Sequence, residues 1–111
     1  MPRDSKVYLD DIAQAIRKIN SYVSKLNQKQ FAADERTVDA VVRNLEIIGE
    51  AVKKLSDETR TKYHEIDWKK MAGLRDILIH EYYGIDIEII WDIIANKLLP
   101  LAKQIEVMLK D

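Results

Sequence analysis

The stretch "DERTVDAVVRNLEIIGEAVKKL", residues 34–55, decides the fold. Val38, Val41, Leu45, Ile48, Val52 and Leu55 recur in steps of three and four residues, which puts them on one stripe of an α-helix. Gly49 falls inside this helix, where glycine is about 1 kcal/mol worse than alanine, so close approach of a neighbouring helix is the expected compensation. Gly73 is expected to play the same part further on.

Working outward, Tyr8, Ile12, Ile16, Ile19, Val23 and Leu26 mark a helix from Ser5 to about Leu26, and the polar "NQKQ" after it is expected to loosen the chain. On the other side, "DETRTKYHEI" (57–66) is expected to form one or two helical turns, and Asp67 can cap a helix that begins at Trp68. Gly84 is a stop signal. Asp86 as N-cap and Glu88 in the first turn then open a last helix that runs toward Lys110 and is expected to bend at Pro100. Its first turns, with Ile87, Ile89, Ile90, Trp91, Ile93 and Ile94, are apolar nearly all round. One small bundle cannot bury every side of such a helix, so a second subunit is expected to cover part of it.

The pattern predicts an all-α protein: an up-down bundle of four main helices plus a short one, in a single domain over residues 1–111 and associated as a homodimer. Composition agrees, with 47% hydrophobic and 33% charged residues, three glycines and two prolines among 111 residues. At this length roughly two-thirds of the unfolded surface is buried, enough for one core. The net charge of −1 divides as +1 over residues 1–60 and −2 over 61–111, so no basic tail or patch announces a nucleic-acid partner. Absence of cysteine excludes disulfides and thiolate zinc sites. "MPRDSKVYLDD" has no apolar signal core and no stretch reaches membrane-spanning length, so a cytoplasmic location and no membrane association are expected.

Chemistry concentrates in "RDILIHEYY", Arg75 to Tyr83. On a helical wheel Trp68, Met71, Leu78 and Tyr82 lie within about 60° of Arg75, so Arg75 sits among core-type residues and must meet a carboxylate, a carbonyl or an anionic ligand. His80 lies about 140° from Arg75 on an ideal helix, whereas Asp76 shares its side. Convergence therefore requires either unwinding near Gly84 or two copies of the helix meeting across a dimer axis. Arg, His, Asp and Tyr together suit phosphodiester chemistry without a metal. His80 can move a proton to or from a ribose hydroxyl, Arg75 can neutralise charge on phosphate oxygens, Asp76 can orient the imidazole, and Tyr82 can hydrogen-bond or stack on a base. The plainer reading stays open: a salt-bridged structural Arg and an i,i+4 surface pair. Arg43, Asn44, Glu46 and Glu50 could line a polar cleft or a solvated helix face, with Tyr83 a further cleft candidate. His64 reads as exposed, Trp68 and Trp91 as core, and two histidines without cysteine make a metal site improbable.

"WKKMAGLRDILIHEYYGIDIEIIW" (68–91) resembles the signature region of the HepT-like toxins, minimal HEPN-domain proteins of type VII toxin–antitoxin pairs, and "VVRNLEIIGEAVKKLSDETR" (41–60) resembles the same family's second helix. The family's Arg-x4-His-x-Tyr motif is met by Arg75, His80 and Tyr82, with Asp76 at its polar position. The resemblance spans essentially the whole chain. It implies a homodimer with a cofactor-free, metal-independent RNA endonuclease site at the interface, catalysed by Arg75, Asp76 and His80. It also implies a partner: an antitoxin of the MntA type, a minimal nucleotidyltransferase that transfers AMP to Tyr82. Two alternatives are a non-catalytic helical dimer that serves a nucleotidyltransferase as its regulatory or substrate subunit, and a module that binds a nucleotide without chemistry.

Overall fold

The computed structural model describes residues 3–74 and 86–111, and every element it describes is helical. In chain order these are α1 (Arg3–Val23), α2 (Gln28–Ala33), α3 (Glu35–Lys53), α4 (Asp57–Lys62), α5 (Trp68–Ala72), α6 (Ile87–Asp92), a π-helical turn (Ile93–Lys97) and α7 (Leu98–Lys110). The helical bundle expected from the periodicity is formed. Its centre is α1 against α3, with α7 on α1 and α5 on α3.

The stripe that predicts α3 is the stripe it buries: Val41, Leu45, Ile48 and Val52 are fully inaccessible, facing Ile12, Ile16 and Ile19 of α1 within one core that also takes Ile105 and Met108 of α7. Full burial of one such side chain stabilises the fold by about 1.5–3 kcal/mol, so this layer dominates the favourable terms.

"NQKQ" does not loosen the chain. Asn27 Oδ1 accepts from Gln30 N at 2.8 Å while Gln30 Oε1 accepts from Asn27 N at 3.0 Å, a capping box that starts α2. One turn later Phe31 is fully buried, its ring 5.4 Å from that of Trp91 at 39°. Asp34 then serves two helices. Its N–H donates to Phe31 O at 3.0 Å to close α2, and its carboxylate accepts from Thr37 N (3.2 Å) and Thr37 Oγ1 (2.8 Å) to open α3. The Thr37 hydroxyl bond, then the Thr37 N–H, hold the Asp34 carboxyl below its usual value.

Ser56 caps α4, accepting from Thr59 N at 3.1 Å, and the buried Thr59 hydroxyl donates to the buried Ser5 Oγ at 3.0 Å. Asp67 caps α5 as expected, accepting from Lys70 N at 3.0 Å. Gly73 ends α5. A Cβ there would meet Lys69 O and Lys70 O at 3.5 Å, ordinary contact with its own turn, and among the described residues no neighbouring helix crowds it. Gly49 is buried on α3.

Asp86 caps the last helix through Glu88 N (3.0 Å) and Ile89 N (3.2 Å). The chain answers Pro100 before reaching it. Proline lacks an N–H and its ring crowds the carbonyl four residues back, and the helix widens beforehand into a π turn in which Leu98 N–H donates to Ile93 O. Around this helix Ile90 and Ile94 are buried, Ile87, Trp91 and Ile93 half-buried, and Ile89 is 38% exposed, so part of its apolar girth faces outward.

Candidate functional site

Arg75, Asp76, His80, Tyr82 and Tyr83 lie outside the described residues. What is described is how the chain is held on either side of them. Upstream, Trp68 is buried with its indole Nε1–H donating to Tyr63 O at 3.0 Å, and Leu74, the residue before Arg75, is packed in the core. Downstream, the Asp86 cap and the fully buried Ile90 anchor the return. Leu74 and Ile90, which flank these residues in sequence, thus pack into the same core.

A groove of about 540 Å³ runs between these anchors, walled by Ile66, Met71, Leu74, Ile89, Ile93 and Leu101. Lys70 and Lys97 stand on its rim together with Glu65, Asp67 and Asp92, so it is apolar inside and mixed in charge outside. The π turn contributes Ile93, Asn96 and Lys97 to its wall.

A second cleft, about 280 Å³, lies between α1 and α3 and is lined by Arg43 and Glu50 with Tyr8, Asp11 and Lys54. Lys54 Nζ sits 5.7 Å above the centre of the Tyr8 ring, and Glu50 is 3.6 Å from Lys53 Nζ. Asn44 does not line this cleft. It is 5% exposed, and its Nδ2 donates to Ala40 O at 2.8 Å on its own helix. Of the polar residues expected along α3, the fold brings Arg43 and Glu50 to one opening and keeps Asn44 inside. His64 is exposed, as read. Among the described residues no three His, Asp or Glu side chains converge as metal ligands, and no helix is long and apolar enough to cross a membrane.

Tyr63 is a junction not anticipated from sequence. Its ring is buried, its O–H donates to Asp111 Oδ2 at the end of α7, and Lys62 Nζ lies 5.4 Å from the ring centre. Acceptance by the carboxylate, then burial, push the phenol up to about 12. The signal was present: Leu55, Thr59, Tyr63 and Ile66 follow one another at helical spacing, and all four are buried.

A helical bundle with an Arg-x4-His-x-Tyr sequence between α5 and the last helix is consistent with a small HEPN-type protein. The chain belongs to the HepT-like ribonuclease family, whose model matches residues 12–108. It is 45% identical to a Methanocaldococcus jannaschii protein named "Putative RNase", over 100% of this chain and 93% of that one. It is 38% identical to the "Probable ribonuclease HepT" of Thermococcus cleftensis, over 99% of this chain and 100% of the relative. A Caldanaerobacter subterraneus protein, also named "Putative RNase", is 42% identical over 93% of this chain and 92% of its own. No solved structure matches the chain.

Proposed function

We propose that this chain is the toxin of a toxin–antitoxin pair, a metal-independent RNA endonuclease acting as a homodimer, silenced when a nucleotidyltransferase antitoxin transfers AMP to Tyr82. The observation that carries the reading is the coincidence of the family match over residues 12–108 with Arg75, His80 and Tyr82 in motif spacing inside it.

In this chemistry the ribose 2′-oxygen attacks the neighbouring phosphorus and the bond from phosphorus to the 5′-oxygen breaks. One proton leaves the 2′-hydroxyl and one reaches the 5′-oxygen, giving a 2′,3′-cyclic phosphate and a 5′-hydroxyl. His80 carries the proton transfer, since an imidazole titrates near neutrality, and such transfer contributes typically 10² to 10⁴ in rate. Arg75 neutralises the charge that builds on the non-bridging oxygens, and Asp76 orients the imidazole. Pooling two motifs across the dimer axis answers the roughly 140° that separates Arg75 from His80 on one ideal helix. An AMP group on Tyr82 would bring a phosphate to Arg75 and occupy the place of the substrate's.

The test is cleavage of RNA by the unmodified chain and by His80→Ala: the first should cut and the second should not. A second reading, a docking subunit without turnover, draws support from the net charge of −1 and from the open apolar groove. It requires that clean protein leave RNA intact while still binding the nucleotidyltransferase.

A further inference from the structure

The outward face of α1 carries charges that its own chain leaves unpaired. Leu9, Ile12, Ile16 and Ile19 turn one side of the helix into the core. On the opposite side Asp4, Val7, Asp11, Lys18 and Tyr22 fall within about 60° of one another on the helical wheel, and all five are exposed. Val7 and Tyr22, at 54% and 41% exposure, are large apolar side chains left in water. Lys25 is exposed just past the helix end.

The order of these residues is self-complementary. About the midpoint between Gln14 and Ala15, Asp11 mirrors Lys18, Val7 mirrors Tyr22 and Asp4 mirrors Lys25. Turning the helix end for end therefore sets each acid opposite a lysine and each apolar side chain opposite the other. On one flank Asp10 and Arg17 repeat the alternation less closely.

The helix dipole accounts for Asp4 alone, because its effect fades beyond the first and last turns. Asp11 stands more than two turns in, and the last turn of α1 holds no base. Pairing within the chain does not account for the rest. Asp11 and Lys18 lie about 10 Å apart along the axis, beyond the three- and four-residue steps at which helix side chains meet. Among the described residues neither forms an ion pair, although Asp11 borders the cleft that holds Arg43 and Lys54. Gln14, at the centre, turns its amide to the flank and donates to Asp10 Oδ2 at 2.9 Å.

We propose that this face docks on a second copy of the chain, α1 against α1, antiparallel about a two-fold axis beside Gln14. Such a contact is isologous, so Asp11 meets the partner's Lys18 and Val7 meets the partner's Tyr22 twice over. A parallel pairing would set acid on acid and base on base. A strip about 27 Å long and one helix wide covers less than the roughly 800 Å² per partner of a standard interface, so the contact is weak on its own. Its seam stays near water, where complementary charge gives register more than affinity. It gains most where copies are already joined through another face, because the second association is then nearly intramolecular. The contact stands whether or not the chain cleaves RNA.

The experiment is sedimentation equilibrium of the full chain at low salt, up to about 1 mM, where contacts of this size are populated. Wild type is compared with Asp11→Lys, with Lys18→Asp, with the double variant that exchanges the two charges, and with an equal mixture of the single variants. All these positions are exposed, so circular dichroism and melting should stay as in wild type. Each single reversal sets like charges face to face twice and should weaken association roughly tenfold. The double variant and the mixture should both return to within about threefold of wild type, and wild-type association should fall as salt rises. Single variants that associate as wild type does, a double variant or a mixture no better than either single variant, or a wild-type chain that stays monomeric throughout would each overturn the proposal.

Discussion

The hydroxyl of Tyr63 donates to the carboxylate of Asp111, 48 residues away, and so joins the turn after α4 to the end of α7. Only the protonated phenol can donate, which gives the contact a definite pH dependence. The folded-state value stands at about 12 against an ordinary 10, a rise whose largest cause is the Asp111 bond. The stabilisation is therefore fully present below pH 10 and is lost as pH rises through about 12. Denaturant titrations of wild type and Tyr63→Phe should show a stability difference that is constant from pH 7 to 9 and shrinks above pH 10. A difference that grows with alkalinity contradicts this assignment.

The Ser5, Ser56 and Thr59 hydroxyls form a small cluster, with Thr59 Oγ1 3.0 Å from Ser5 and 2.9 Å from Ser56. Replacing Thr59 with Val keeps its shape but removes the donor to the buried Ser5 oxygen. The expected loss is about 1–3 kcal/mol by chemical denaturation, and Thr59→Ser should lose less.

In the centre, Ile48 is fully buried between α1 and α3. Ile48→Ala should destabilise by about 2–5 kcal/mol, lowering the melting temperature with far-ultraviolet circular dichroism still helical below it. Asn27→Ala at the α2 capping box should be milder, about 1 kcal/mol, because it removes one cap and no packing.

Ile89 is 38% exposed on the groove wall. Since its side chain already meets water, Ile89→Lys should change monomer stability by no more than about 0.5 kcal/mol. If a second copy covers this face, the same change should shift sedimentation toward monomer at matched concentration. Unaltered sedimentation would contradict cover of this face by a second copy.

The long helices were legible because each buries one stripe over several turns: Val41 to Val52 of α3 and Ile12 to Ile19 of α1 appear in the core where their spacing puts them. Elements decided by a few atoms were harder. The helix at Gln28–Ala33 depends on the reciprocal Asn27–Gln30 pair, and a polar run of four residues reads equally well as a loop. The π turn was hidden for another reason. Pro100 signals a disturbed helix, but whether the chain kinks at the proline or widens a turn earlier depends on how Ile90, Ile94, Leu98 and Leu101 all reach the core. For the site, the motif was readable as chemistry while the contacts of the segment before it were not. Tyr63 and Trp68 meet through a backbone carbonyl, which no side-chain pattern encodes, and Asn44 looked as available as Arg43 although its amide turns back on Ala40 O.

The most direct test of the central claim is cleavage of RNA by the purified chain before and after incubation with the proposed nucleotidyltransferase partner and ATP, with intact mass read on both samples and His80→Ala run alongside. The account predicts that the unmodified chain cuts to 2′,3′-cyclic phosphate ends, that one AMP on Tyr82 abolishes cutting, and that His80→Ala never cuts. Cleavage by His80→Ala at the wild-type rate, or intact RNA with unmodified wild-type protein, would contradict it.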